Sequence, residues 1–171
     1  MEFNKLINKR QSIRTFKDKE VPEKDIKKIL EAAIRAPSAG NLQAYEMYVI
    51  KDEETKNRLS GASLGQDSIK EASVCIVFCA HPKRSSVKYE ERGRDLYCLY
   101  DTAIACAYAQ LEVTNLGYGS VWVSAFEDDK VRKVLDINES LIPVSILPIG
   151  ISNETPEYKS RREYNEIVHN L

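Results

Sequence analysis

One segment constrains the fold more than any other: residues 94–116, which predict a single helix about 35 Å long at 1.5 Å per residue. Between Leu96 and Leu111, almost every side of this predicted helix is apolar. A helix that is apolar all round is normally buried all round. The segment therefore predicts either the central helix of a small domain or a helix at a subunit interface.

The size and charge of the chain exclude several classes of function. Its 171 residues predict a single domain, residues 1–171. The 25 Lys and Arg residues nearly balance the 26 Asp and Glu residues, giving a net charge of −1. Proteins that bind nucleic acids or membrane surfaces usually have a clear basic excess, so we expect neither partner. The longest apolar runs, Val74–Ala80 and residues 103–109, are too short for a membrane span, which needs about 20 residues.

The amino terminus and the cysteines point to the same compartment. No apolar signal-peptide segment begins the chain, which predicts a cytoplasmic protein. The four cysteines form no CxxC pair, and most of them lie in apolar or Ala-rich surroundings. This spacing predicts reduced, buried thiols and no metal or iron–sulfur site. The cysteines are Cys75, Cys79, Cys98 and Cys106.

The remaining patterns alternate between helices and strands and predict an α+β fold. The run VCIVFCA is typical of a strand buried on both faces. Residues 81–93 are charged and predict a surface loop, and the polar residues beyond Gly150 predict a tail that leaves the core. The patterns predict helices at residues 3–8, 22–35, 53–59 and 128–135, strands at 45–51, 73–80, 121–124 and 144–149, and a loop at 61–67.

A basic segment near the amino terminus is the first candidate site. Arg10, Ser12 and Arg14 share one side of the chain if this segment is extended. Two guanidiniums that flank a hydroxyl suit a phosphate or carboxylate ligand. A solvated basic stretch ahead of a helix is the alternative interpretation.

Three other segments are candidates on weaker grounds. Residues 36–43 combine small side chains with neutral donors and acceptors, which suits a flat ligand but also an ordinary turn. Residues 117–124 contain the only Trp, and their glycines equally suit a helix end. The basic run at residues 159–162 equally suits a solvated tail. Because no nucleophile–base motif occurs, we expect any enzymatic chemistry to depend on a bound cofactor.

Taken in order, these segments match five short motifs. Residues 10–16 read Arg-Gln-Ser-Ile-Arg-Thr-Phe, and residues 36–43 read Ala-Pro-Ser-Ala-Gly-Asn-Leu-Gln. A Phe-Cys-Ala run follows at residues 78–80, then Leu-Gly-Tyr-Gly-Ser-Val-Trp at 116–122, and an Ile-Pro strand with a basic tail closes the series. Across nearly its whole length, the chain resembles the FMN-dependent nitroreductase family.

The resemblance implies a fold, a cofactor and a partner. It implies an α+β nitroreductase-like fold with a central mixed or antiparallel sheet, flanking helices and a long buried central helix. It also implies a homodimer with two non-covalently bound FMN molecules at the interface and a carboxyl-terminal arm, about residues 151–171, exchanged between subunits. NAD(P)H would be the reductant, and a small molecule such as a nitroaromatic or a quinone would be the electron acceptor.

By matching position, the resemblance also implies residue roles. Arg14 would lie near flavin N1 and O2, where a fixed cation stabilises negative charge, and residues 122–125 would pass near N5. Arg14 and Ser124 are the residues implied to be catalytic. The resemblance implies that Arg10 and Ser12 contact the phosphate or the ribityl chain, that Lys159 and Arg161 add phosphate contacts from the tail, and that Gln11 also binds the cofactor. The other implied FMN-binding residues are Arg14, Gln66, Val121, Trp122 and Ser124, with Pro37, Ser38, Asn41 and Gln43 from the partner subunit.

Departures from the family pattern leave the substrate open. Gln43-Ala44-Tyr45 replaces the frequent Gln-Pro-Trp, and residues 122–125 replace a Pro-x-Glu-Gly found in some relatives. The chain is also short, with little sequence available to cover a substrate. A flavin-fragmenting or dehalogenating enzyme, and a flavin-binding storage or sensing protein, are therefore alternatives.

Overall fold

An antiparallel sheet separates two layers of helices. The structure, a computed structural model, describes residues 1–157 and 159–171. The strand order is β1-β5-β3-β2, and β4 pairs with β5 beside β1. The strands are β1 (Phe16–Lys17), β2 (Tyr45–Ile50), β3 (Val74–Ala80), β4 (Gly119–Ser120) and β5 (Ile142–Ser152). The helices are α1 (Phe3–Lys9), α2 (Glu23–Ile34), α3 (Glu53–Ala62), α4 (Asp67–Glu71), α5 (Pro82–Arg92), α6 (Cys98–Asn115), α7 (Asp128–Leu135) and α8 (Tyr164–Ile167).

The position of strand β3 in the middle of the sheet explains why its sequence is apolar throughout. Its residues are all buried, and successive side chains point to opposite faces of the sheet. Ile76 and Phe78 pack in the core that contains α2 and α6. Cys75 and Val77 pack in the other core, with α3, α4 and α7. The strand is therefore buried on both faces, as the sequence predicts.

Helix α6 lies at the centre of one layer but is only partly covered. It packs against α2, β3 and β5, and its inward residues include Ala105, Ala109 and Val113. Within the single chain the helix is not buried on all sides, because Tyr100 is 53% exposed and Tyr108 is 40% exposed, so its place at a subunit interface stays a prediction. The α-helix also begins later than predicted, since a π-helical turn at Gly93–Tyr97 precedes it.

Two sequence predictions of local structure are wrong. Residues 81–93 are not a loop: His81 accepts a hydrogen bond from the backbone N–H of Arg84 at 3.3 Å, and Pro82 opens α5. The strand predicted at residues 121–124 is not formed. Strand β4 ends before it, at Ser120, and within residues 121–124 only Val123 forms a bridge, to Ile146. Strand β5 is longer than predicted and extends to the point where it pairs with β1.

The cysteines are free and buried, as predicted. Burial raises the pKa of the thiols of Cys75, Cys79 and Cys106 to about 12, because the low-dielectric core disfavours a thiolate. Burial also raises the pKa of Cys98. Among the described helices, none is both long and apolar enough to cross a membrane.

Candidate functional site

The segment that carries Arg10, Ser12 and Arg14 runs beside the sheet in an extended form. Ser12 bridges Ser120 of β4, and the backbone N–H of Ile13 donates to the Ser120 carbonyl at 2.9 Å. Ile13 is buried in the core, whereas the three polar side chains line a cavity on the other side. The alternation expected from the sequence is confirmed.

This cavity brings together the two ends of the chain. Its volume is about 510 Å³, and we call it the basic cavity. Glu154 and Glu157 also line it, and the Glu157 carboxylate lies 3.0 Å from the Lys159 ammonium. The predicted FMN-binding residues that line the basic cavity are Arg10, Gln11, Ser12, Arg14, Lys159 and Arg161.

Glu154 fixes the basic segment in place. One oxygen of its carboxylate accepts hydrogen bonds from the backbone N–H groups of Arg14 and Thr15, the latter at 3.1 Å. The backbone N–H of Asn153 returns a bond to the Thr15 carbonyl at 3.0 Å. Sequence reasoning missed Glu154, because one acid in a polar tail carries no signal of its own.

The loop between α2 and β2 has an unusual backbone. Gly40, Asn41 and Gln43 adopt left-handed conformations with φ of 57°, 57° and 50°. Residues other than Gly rarely adopt left-handed backbone angles, and those that do are concentrated at functional sites. The backbone N–H of Gln43 donates to Ser38 Oγ at 3.0 Å, and its side-chain amide donates to the Asn41 carbonyl at 3.2 Å.

The same loop is separated from the basic cavity within one chain. Pro37, Asn41 and Gln43 line an open cavity of about 810 Å³, which shares no lining residue with the basic cavity. The structure therefore brings together the predicted FMN-binding residues from the two ends of the chain, but not the residues that the resemblance assigns to the partner subunit.

Asp101 of α6 anchors this loop from below. Its Oδ1 accepts a hydrogen bond from the backbone N–H of Ala39 at 2.8 Å. The residue is 2% exposed, and its Oδ2 has no hydrogen-bond partner among the described residues. Burial, followed by the charge of Asp101, raises the pKa of Tyr45 nearby. Sequence reasoning missed Asp101, although an acid within an apolar helix was the available signal.

The segment around the only Trp is held in place by its side chains. Ser124 Oγ accepts from Trp122 Nε1 at 2.6 Å and donates to the Val144 carbonyl at 3.0 Å. Gln66 Nε2 donates to the Ala125 carbonyl at 3.2 Å, so Gln66 lies beside this segment, and its contact with a flavin ring stays a prediction. Val121 is buried, which leaves only its backbone for a ligand.

No group of three or more potential metal-ligating side chains occurs within the described part of the chain. The sequence model of the nitroreductase family matches residues 7–66 and 61–151.

The chain belongs to the nitroreductase family.

Individual relatives agree with this membership. The chain is 33% identical over 161 residues to an Archaeoglobus fulgidus protein provisionally named NADH dehydrogenase/NAD(P)H nitroreductase, covering 92% of this chain and 89% of that protein. It is 30% identical to an NADH dehydrogenase of Thermus thermophilus, with 85% and 84% covered. An NADPH-dependent oxidoreductase of Staphylococcus saprophyticus is 27% identical, with 96% and 71% covered. These relatives support an oxidoreductase.

Solved structures agree on the fold. A nitroreductase family protein from Clostridium novyi NT superposes with a TM-score of 0.81 at 28% identity, covering 93% of this chain and 89% of that one. One from Streptococcus pneumoniae TIGR4 superposes with a TM-score of 0.90 at 24% identity, covering 99% and 100%. The α+β nitroreductase fold expected from the motifs is confirmed.

Proposed function

We propose that this nitroreductase-family protein is an FMN-dependent NAD(P)H oxidoreductase that reduces a small electron acceptor, such as a nitroaromatic or a quinone. The observation that carries the proposal is the basic cavity, where Arg10, Arg14, Lys159 and Arg161 meet although the sequence places them at opposite ends. We further propose that residues 1–171 form one FMN-binding domain, with residues 151–171 as an arm.

The chemistry of the basic cavity fits the phosphate end of FMN. Guanidiniums pair with phosphate oxygens through two parallel hydrogen bonds, and the Ser12 hydroxyl adds a neutral donor. Of the two acids that line the cavity, Glu157 pairs with Lys159, and Glu154 is bound by two backbone amides. The volume of about 510 Å³ lies within the usual range for cofactor sites.

Bound FMN supplies hydride transfer between NAD(P)H and the acceptor. This chain's residues would bind and orient it. Arg14, held by the Glu154 carboxylate through its backbone N–H, would present a fixed positive charge where negative charge develops. The backbone at Trp122 and Ser124 would orient the ring. The Ser124 hydroxyl proton is donated to the Val144 carbonyl, so this side chain positions Trp122 rather than supplying a proton.

A second copy of the chain would complete the site. Helix α6 carries an apolar surface that its own chain leaves open, in which Tyr100 and Tyr108 are the most exposed side chains. We call the set Tyr100, Ile104, Ala107, Tyr108 and Leu111 the α6 surface. Unpaired apolar surfaces on soluble proteins mark interaction sites. We propose that a homodimer forms through this surface and brings Pro37, Ser38, Asn41 and Gln43 of one subunit to the basic cavity of the other.

The test is the purified protein itself. We expect it to contain or take up FMN and to oxidise NAD(P)H when a quinone or nitroaromatic is present. Arg14→Ala should retain FMN and lower this rate at least about tenfold, because a charge aimed at the reacting centre is removed. Lys17→Ala, an exposed cation of β1 outside the cavity lining, is the matched control and should match the wild type.

Two results would contradict the proposal in different ways. A protein that binds no FMN would exclude the cofactor. A protein that binds FMN but never oxidises NAD(P)H with any acceptor would indicate storage or sensing instead.

A further inference from the structure

The proposed function leaves open which nicotinamide cofactor the protein uses, and helix α5 carries residues that bear on this choice. We propose that Arg84, Lys88 and Arg92, together with the rings of Tyr89 and Tyr97, bind the phosphorylated adenosine end of NADPH. The proposal rests on the flavin site described above, because it assigns the surface beside that site to the reductant.

The three cations are held by uncharged groups rather than by acids. Arg84 Nε donates to the carbonyl of Leu42. Lys88 Nζ lies 5.4 Å from the centroid of the Tyr89 ring. Arg92 Cζ lies 5.3 Å from the centroid of the Tyr97 ring.

The neighbouring cation on the same stretch behaves differently. Arg94 Nε lies 3.0 Å from Asp95 Oδ1, and Arg94 Nη2 lies 3.8 Å from Glu91 Oε1. Arg84, Lys88 and Arg92 form no ion pair with any residue that the structure describes. Their positive charge therefore remains available to an external anion, and their orientation is already restricted.

Two tyrosine rings connect Lys88 and Arg92 into one patch, and Arg84 precedes them on α5. The centroids of Tyr89 and Tyr97 are 5.1 Å apart, and the rings meet edge to face at 80°. Tyr97 Oη accepts a hydrogen bond from Arg92 Nε at 2.8 Å. Nucleic bases stack on tyrosine rings and guanidinium planes, and phosphates bind guanidinium and ammonium groups. Aromatic rings flanked by cations thus offer both kinds of contact that a phosphorylated nucleoside needs.

The patch lies directly against the loop that we assign to the flavin. A Cβ at Gly40 would lie 2.7 Å from Tyr89 Oη and 3.0 Å from Lys88 Nζ, so the ends of both side chains lie against the backbone of this loop. Gly40 precedes Asn41 in the left-handed stretch that also contains Gln43. A reductant whose nicotinamide reaches the flavin beside this loop would find the α5 patch within the length of its own dinucleotide.

The number of cations favours NADPH over NADH. Both cofactors carry the two negative charges of the pyrophosphate bridge, whereas NADPH adds a phosphate monoester on the adenosine ribose. This monoester carries up to two negative charges near neutral pH and is the stronger acceptor for charge-assisted hydrogen bonds. Three cations without acidic partners suit this additional group.

The experiment measures fragment binding apart from turnover. Isothermal titration of the purified full-length protein with adenosine 2′,5′-bisphosphate and with adenosine 5′-monophosphate compares ligands with and without the 2′-phosphate. We expect the bisphosphate to bind at least about tenfold more tightly, because a charged hydrogen bond contributes roughly that much. Lys88→Ala and Arg92→Ala should each lose about tenfold in bisphosphate affinity. Lys88→Arg should retain it.

A matched control lies on the same helix. Lys83 is an exposed cation of α5 with no contact to either tyrosine ring, and Lys83→Ala should bind the bisphosphate as the wild type does. Arg84 is not substituted, because its loss would also release the Leu42 carbonyl. Equal affinity for the two fragments would overturn the proposal, and so would equal losses in Lys83→Ala and Lys88→Ala.

A second measurement separates this proposal from the proposed function. The rate of flavin reduction is measured anaerobically with NADPH and with NADH, and the ratio of the two rates is compared between variants. We expect Lys88→Ala and Arg92→Ala to lower the NADPH rate at subsaturating concentration while the NADH rate changes less. An unchanged ratio would overturn the α5 assignment and leave the flavin chemistry intact, whereas a protein without flavin reduction would contradict the proposed function.

Discussion

Position 119 leaves no room for a side chain. A Cβ on Gly119 would lie 2.8 Å from both Cβ and Cγ2 of Ile13, a distance that packed carbon atoms do not tolerate. Ile13 stands between Ser12 and Arg14, so this one contact sets how closely the basic segment approaches β4. The motif that contains Gly119 therefore has a packing function at the edge of the proposed cofactor site.

Gly119→Ala should be destabilising and should weaken FMN binding. Overpacking of this kind costs about 1–3 kcal/mol, and relief would require the segment that carries Arg10 and Arg14 to move. The measurement is the urea midpoint together with an FMN titration. Gly61→Ala is the control, because a Cβ there meets nothing within 4 Å and Gly61, in the last turn of α3, lies in a helix, where Ala is favoured over Gly. Equal stability of the two variants would contradict this explanation.

Residue by residue, the sequence predicts which side chains line the basic cavity better than it predicts the residues that hold them in place. The alternation of Arg10, Ser12 and Arg14 is visible because the pattern is local. Glu154 and Asp101 act through long-range hydrogen bonds to backbone N–H groups, and such bonds leave no pattern in the sequence. The convergence of Lys159 with Arg14 followed only from the family resemblance.

Among the elements, α2 and the turn after α6 are joined by one carboxylate. Asp25 accepts a hydrogen bond from Lys28 Nζ at 2.8 Å and another from Tyr118 Oη at 2.9 Å. These bonds, the one from Lys28 first and the one from Tyr118 second, hold the pKa of Asp25 below its ordinary value. The carboxylate thus stabilises the contact between the two elements only while it is ionised.

This contact should make stability depend on acid pH. A carboxyl group with a pKa lowered by folding stabilises the protein above its unfolded pKa, and the contribution is lost as the pH falls through the folded pKa. We expect the free energy of unfolding to decrease less steeply on acidification in Asp25→Asn than in the wild type. The measurement is the urea midpoint from neutral pH to the acid limit of folding.

Asp67→Asn is the matched control for that experiment. Like Asp25, Asp67 lies in the first turn of a helix and pairs with a lysine three residues later: Asp67 Oδ1 lies 2.6 Å from Lys70 Nζ. Unlike Asp25, it has no tyrosine partner among the described residues. If both variants change the pH dependence equally, the bond to Tyr118 is not the cause.

Helix α5 shows why one element escaped sequence analysis. Its sequence is charged, and of its residues only Pro82 and Ser85 are buried, so no apolar periodicity exists to detect. Its beginning depends on the His81 side chain and on Pro82, and an irregular φ of 48° at Glu90 interrupts it before its last residue, Arg92. In contrast, α2 was predictable because Ile26, Ile29 and Ala33 bury one regular face.

At the scale of the whole molecule, the apolar α6 surface remains open while the sheet is covered on both faces. The two cores enclose β3 completely, so the single chain covers both faces of its own central strand. The amino-acid pattern predicted a buried helix, but it could not show whether the cover comes from the same chain or from another. The structure answers for the single chain, where Tyr100 and Tyr108 are exposed.

Tyr108→Glu should therefore prevent self-association. A charge placed within a dry interface costs about 2 kcal/mol or more without a partner, so the variant should sediment as a monomer and bind FMN poorly. The measurement is analytical ultracentrifugation with and without FMN. Val49→Glu places the same charge at an exposed apolar position on β2 and should leave the assembly unchanged. A wild type that is monomeric at high concentration with FMN bound would contradict the proposed homodimer.

Tyr100 and Asp101 are adjacent in the chain but point about 100° apart around the axis of α6. Tyr100 belongs to the α6 surface, whereas Asp101 accepts a hydrogen bond from the backbone N–H of Ala39. Ala39 is the residue directly before the left-handed part of the loop, which begins at Gly40. A small rotation of α6 about its axis would move both groups together. In the proposed homodimer, a second subunit in contact with Tyr100 would therefore touch the same helix that holds the loop through Asp101.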